Sequence, residues 1–191
     1  MFDLAFLIIS LPILLITLTI HEYAHAKVAD YLGDPTPRLA GRLTLNPLAH
    51  IDPIGLIALI LVRFGWAKPV PINSYNFRNP RLGNLLVSLA GPLSNFIFAW
   101  LLAILTRYLA DGTILILLEY TIWINLALAV FNLLPIPPLD GSHILEYFLA
   151  PYQLEWMYRL QQYGFIILIA FMMFGFPILS AVVEYLYRLI T

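Results

Sequence analysis

From Leu4 to Ile20 the chain carries no charged side chain, and its apolar character runs on to about Leu32. Lipid offers backbone N–H and C=O groups no partners, so such a stretch must close its hydrogen bonds within itself, as a helix. At about 1.5 Å per residue, a helix over about Leu4–Leu32 is long enough to cross a hydrocarbon core of about 30 Å. Composition extends the argument to the whole chain. Of 191 residues, 61% are hydrophobic and only 11% charged, with mean hydropathy +0.86. A soluble domain carries about 25% charged residues, so there is too little charge here to cover a water-facing surface. The expectation is an all-α polytopic membrane protein, one domain over residues 1–191. It would be a bundle of about four to six transmembrane or membrane-embedded helices, with a small strand-containing segment at about 34–80 on the cytoplasmic side.

The first run is not a secretory signal. Asp3 is the only charge in Met1–Ile20 and no small-residue cleavage site closes the run, so it reads as a retained span. A net charge of −1 argues against nucleic acid as a partner. The absence of cysteine excludes disulfides, thiolate zinc sites and thiol catalysis.

Gly33, Pro35 and Pro37 stop the first span. Residues 34–80 hold prolines at 35, 37, 47, 53, 69, 71 and 80, and short alternating pieces such as Gly41–Leu45 and Lys68–Ile72 that read as short strands. Ile54–Phe64 is apolar but too short for an ordinary span, and reads as re-entrant or interfacial. A second span is expected over about Leu82–Leu109, kinked at Gly91-Pro92, with Asp111-Gly112 as the turn. A third covers about Ile114–Leu134 and ends in the non-helical Pro135–Gly141. A short helix from about Ser142 to Leu149, a fourth span over about Leu154–Phe174 and a last apolar helix after Pro177 complete the chain. Arg38, Arg42, Arg63, Lys68, Arg78 and Arg81 all follow the first span, whereas the next hairpin holds only Arg107 and Asp111. The positive-inside rule then puts residues 33–81 on the cytoplasmic side, and the broken end of the third span returns there.

Against this apolar background His21-Glu22-Tyr23-Ala24-His25 stands out. Ionisable groups at membrane depth are expensive and point to function. Residues four apart share a helix face, so both imidazoles can reach one zinc ion, and Glu22 can serve as a base toward a water that the ion activates. Coincidence is the bland alternative, and it has to account for three polar groups in lipid. A catalytic zinc needs a third protein ligand. Asp140, His143, His50, Asp52 and Glu146 are the candidates. Asp140 is the best, because it follows a proline-rich break and a carboxylate there needs a partner. Its alternative is to cap the helix near Ser142. His143 is the reserve ligand. Charge on a carbonyl under attack needs further donors, and Asn132 is preferred to Asn95 for that role. Interhelical hydrogen bonding is the alternative for both. His50 reads equally as a surface residue or as a donor lining a cavity.

Three landmarks in order give the chain a resemblance to the site-2 proteases, the zinc intramembrane metalloproteases. They are His21–His25, then Ala90-Gly91-Pro92-Leu93-Ser94-Asn95, then Asn132–Gly141. The stretches Leu45–Pro53 and Lys68–Asn73 are also similar, and the likeness covers most of residues 10–150. The resemblance implies His21, His25 and Asp140 as ligands of one zinc per chain, Glu22 as catalytic base, and Asn132 as a substrate or oxyanion contact. It implies a multi-pass protein of the cell (inner) membrane whose substrates are transmembrane helices. The chain resembles the compact members, which have neither a PDZ insertion nor a CBS appendage.

A substrate helix must unwind before its carbonyls can be attacked. A strand from the 38–75 region could hold it extended by β-augmentation. Other intramembrane chemistries fit poorly. Gly141-Ser142-His143 lacks the second glycine of a rhomboid-like nucleophile motif, and no Gly-x-Gly-Asp is present. The rival of a different class is a non-enzymatic zinc-binding membrane protein, a transporter or metal sensor. Glu22 separates the two, because a pure metal site has no need of a base beside its first histidine.

Overall fold

The computed structural model describes residues 4–62, 65–108 and 112–191, with side-chain surroundings for 9–61, 65–108 and 112–191. Arg63 and Asp111, used above in the orientation argument, lie outside these residues, as does Phe64. The described elements are helical: α1 Leu4–Tyr31, α2 Thr36–Leu39, α3 Pro53–Val62, α4 Pro80–Thr106, α5 Thr113–Asn132, α6 Asp140–Phe148, α7 Pro151–Gln161, α8 Gly164–Phe174 and α9 Phe176–Ile190. Among them α1, α4 and α5 are long and apolar enough to cross a membrane, and α7 with α8 meets the same test as a bent pair. The chain is thus an all-α polytopic membrane protein. It divides into two compact units, Met1–Gly83 and Asn84–Thr191.

In the first unit α1 ends where Gly33 takes a positive φ of 103°. The Asp34 N–H then reaches back to the Ala29 carbonyl at 2.9 Å. A residue with a Cβ is strained in that left-handed conformation, which is why glycine closes the helix. The short strands expected at 34–80 reduce, among the described residues, to one antiparallel bridge between Ile51 and Ala67. The prolines explain the correction. Pro47 and Pro53 open helical turns, whereas Pro69 and Pro71 leave alternate positions of the last stretch without the N–H that a ladder requires. The short apolar segment at 54 folds as α3, capped by Asp52, whose Oδ1 accepts from the N–H groups of Ile54 and Gly55 at 2.9 Å each.

The second unit is built from α4 onward. Along α4 the buried positions are Gly83, Val87, Ser88, Gly91, Pro92, Asn95, Ala99 and Ala103, and the exposed ones include Leu93, Ile97, Trp100, Leu101 and Leu105. Both sets follow helical spacing. Large apolar groups point outward and small or polar ones inward, the arrangement suited to a helix bathed in lipid. The core joins Ala99 and Ala103 to Ile122 and Leu126 of α5 and to Val183 and Ile190 of α9. Small residues let backbones approach, and that close packing holds helices together where no hydrophobic force acts between them.

Two boundaries differ from expectation. The expected fourth span is broken, since α7 and α8 meet at 75°. A Cβ on Gly164 would lie 2.3 Å from the Pro137 carbonyl oxygen, so the start of α8 sits directly on the proline-rich connection. The helix expected from Ser142 starts earlier, at Asp140, with Leu139 as its N-cap. Asp140 is therefore inside the first turn, where its negative charge suits the helix dipole.

Candidate metal centre

His21 and His25 are one turn apart on α1 and buried at 4% and 7% exposure. Their Nε2 atoms face each other at 3.0 Å, with the rings at 83°. Two imidazole nitrogens this close need a proton or a cation between their lone pairs. Zn–N bonds of about 2.0–2.1 Å in tetrahedral geometry would place them roughly 3.3 Å apart. The pair therefore fits a zinc ion with a shift of a few tenths of an ångström. No thiolate competes for it.

Glu22 points along the same helix to an extended segment. Its Oε2 accepts the Val70 N–H at 3.2 Å. The segment is pinned on either side of that bond. The Lys68 N–H donates to the His50 carbonyl at 2.9 Å, and the buried Arg42 guanidinium donates to the Lys68 carbonyl. At the far end the Asn73 N–H donates to Asp34 Oδ2 at 2.7 Å. Asp34 is fully buried. Its Oδ1 accepts from the Thr36 hydroxyl at 2.5 Å, the Thr36 N–H at 3.1 Å and the Asn76 amide at 2.7 Å. Burial by itself would raise its pKa, but these donors favour the charged form and hold it below the ordinary carboxylate value. Burial lowers the pKa of Arg42, and the negative charge of Glu22 opposes that shift.

His50 belongs to this scaffold. It is buried, with Nε2 2.9 Å from the Thr44 carbonyl and Nδ1 3.5 Å from Arg42. Both of its nitrogens face protein groups of this scaffold, Arg42 and the Thr44 carbonyl. Asp52 is likewise committed to capping α3.

In the second unit Asp140 is half-buried at the start of α6. Its position follows from Gly141, where a Cβ would lie 2.3 Å from the carbonyl oxygens of both Leu133 and Leu134. Only glycine lets α6 begin this close to the end of α5. Asn132, the last residue of α5, donates its amide to the Leu128 carbonyl at 3.0 Å. That bond uses one of the two amide hydrogens. Asn95 makes an interhelical hydrogen bond. Its amide donates to Asn125 Oδ1 at 3.0 Å, and Asn125 donates to the Thr121 carbonyl at 2.8 Å, all three residues lying on α4 and α5. His143 is exposed, its Nδ1 3.2 Å from Glu146 Oε2.

Asp34, Arg42, Asn125 and the Val70 amide had no place in the site read from sequence. Two of them left a signal. Asn125 is a lone polar residue in an apolar run, and Asp34 stands in Gly33-Asp34-Pro35-Thr36, a pattern of turn residues.

Comparison with known proteins gives a consistent result. The family model described as "Peptidase family M50" matches residues 106–175, which include Asn132 and Asp140. The chain is similar to "Putative zinc metalloprotease YwhC" of Bacillus subtilis, at 46% identity over 82% of this chain and 78% of the relative. It is also similar to "Putative zinc metalloprotease Rip2" of Mycolicibacterium smegmatis, at 35% identity over 81% of this chain and 62% of the relative. The protein of that name in Mycobacterium tuberculosis is 36% identical over 72% of this chain and 56% of the relative. The chain thus spans less than two thirds of the mycobacterial relatives. No solved structure matches it significantly.

Proposed function

The chain belongs to peptidase family M50, the site-2 proteases, and from that premise we propose that it is a zinc endopeptidase that cuts transmembrane helices of other membrane proteins within or near the bilayer. The observation that carries the reading is the buried imidazole pair on α1 with a carboxylate between its members in sequence. In this reading His21, His25 and Asp140 would hold one zinc ion per chain. The ion, when bound, polarises a carbonyl and lowers the pKa of water toward about 7.

The chain's own residues do the rest. Glu22 takes the proton of the attacking water on its carboxylate and passes it to the leaving amine nitrogen. Asn132 donates an amide hydrogen to the substrate oxygen as that atom gains charge. At membrane depth access to bulk water is limited, so each hydrogen bond counts for more than it would in solution. The substrate is a helix that must unwind locally, since a regular helix shields its carbonyls in its own ladder.

β-Augmentation onto Lys68–Asn73 receives little support. Pro69 and Pro71 lack an N–H, and the N–H groups of Lys68, Val70 and Asn73 are already engaged. Arg38, Arg42, Lys68, Arg78 and Arg81 orient the site toward the cytoplasmic side of the cell membrane.

The test is Glu22→Gln, purified in detergent or reconstituted. It should retain stoichiometric zinc and cleave no single-pass substrate. Retained cleavage ends the mechanism. Zinc binding with no cleavage by the wild type, against a panel of single-pass substrates, would favour the metal-sensor or transporter reading.

A further inference from the structure

We infer that the Pro69-Val70-Pro71 segment is a positioning element for the catalytic base, acting through the Val70 backbone N–H. The inference rests on Glu22 being the base, and nothing in the family match assigns this segment a role.

A glutamate side chain turns about three bonds, so a base on α1 needs a second point of attachment to present one oxygen consistently. Val70 supplies it. Its N–H lies 3.2 Å from Oε2 and leaves Oε1 as the oxygen not held by this bond. The flanking residues serve that purpose. Proline at 69 and 71 restricts the backbone on both sides and removes the neighbouring donors, so the segment offers the carboxylate a single N–H in a fixed place.

The rest of the first unit locks the segment's position along α1. Arg42 and the His50 carbonyl fix Lys68, two residues before Val70. Asp34, at the end of α1, fixes Asn73, three residues after it. Val70 thus meets Glu22 within α1, and Asn73 meets Asp34 just past its end. A buried arginine and a buried aspartate, both costly to desolvate, thus converge on a stretch of six residues whose one contact with the proposed chemistry is this amide.

Two variants and one exchange measurement test the inference on the zinc-loaded full chain. Replacing Val70 by its α-hydroxy analogue turns the 69–70 amide into an ester, exchanging the N–H for an oxygen while keeping the side chain. It should lower kcat about 10–100-fold with KM and zinc content unchanged, the scale expected for a misplaced catalytic group. The same replacement at Ile72, outside the Pro69-Val70-Pro71 segment, should keep kcat within about twofold of wild type. In hydrogen exchange the Val70 amide should be protected in wild type and in Glu22→Gln, whose amide oxygen still accepts, but exposed in Glu22→Ala. Full kcat in the ester variant, or equal Val70 protection in Glu22→Ala, overturns the inference. Cleavage by Glu22→Gln would instead overturn the proposed function, so the two failures are distinguishable.

Discussion

Gly141→Ala probes the start of α6, where the proposed ligand Asp140 sits. A Cβ at 141 would sit 2.3 Å from the carbonyl oxygens of Leu133 and Leu134, whereas ordinary contact starts at 3.4 Å. Both obstacles are backbone atoms and cannot rotate aside, so the start of α6 must retreat by roughly 1 Å, at a cost of about 1–3 kcal/mol. Asp140 precedes Gly141 and moves with it. Metal–ligand distances tolerate only about ±0.2 Å, so a displacement of this size takes the carboxylate out of coordination range. Zinc affinity should fall about 100-fold, the upper range for loss of a supporting group around a metal. A chelator-competition titration measures the affinity, and a thermal melt in detergent measures the destabilisation. Gly175→Ala is the control. Its Cβ would meet the Phe171 ring at 2.4 Å, a side chain that can turn, so zinc affinity should be unchanged. Wild-type zinc affinity in Gly141→Ala would refute the claim that this close approach sets Asp140 as a ligand.

Other outcomes follow from the same geometry. Asp34→Ala should cost about 3–5 kcal/mol, because it leaves several buried donors without an acceptor, as read from a denaturant or thermal series in detergent. The Asp34 pKa is lowered on folding, so its contribution is complete above the ordinary carboxylate value near 3.9 and is lost as pH falls through the lower folded value. Wild type should therefore lose stability over that acid range more steeply than Asp34→Asn. Asn125→Ala should destabilise by about 0.6–1.7 kcal/mol with kcat unchanged, since Asn95 and Asn125 bond each other. A large drop in kcat would return Asn95 to the chemistry. His25→Ala should purify without zinc, and a chelator should inactivate the wild type reversibly, with activity restored on adding zinc.

The helices and the histidine pair were legible because lipid leaves few choices. A long apolar stretch must be helical, and polar groups within it must be explained. This logic yields α1, α4 and α5, and it singles out His21, Glu22 and His25. It should also have singled out Asn125, which sits in the same kind of run. The segment from 34 to 80 was harder. Alternation at Lys68–Ile72 has the period of a strand, but two of its positions are proline, and the amides of Lys68, Val70 and the following Asn73 bond to side chains and a carbonyl far away in sequence. The partners lie at 22, 34 and 50, and local periodicity carries no information about them. The break between α7 and α8 was hidden for a similar reason. Gly164 is needed because a carbonyl from Pro137 lies against it, a contact between residues far apart in sequence.

Zinc K-edge absorption on the purified, unmodified chain addresses the central claim most directly. The account predicts one zinc per chain, with two imidazole nitrogens at about 2.0–2.1 Å and the remaining ligands oxygen. Protein that holds no zinc, or zinc whose spectrum lacks imidazole scattering, would contradict it.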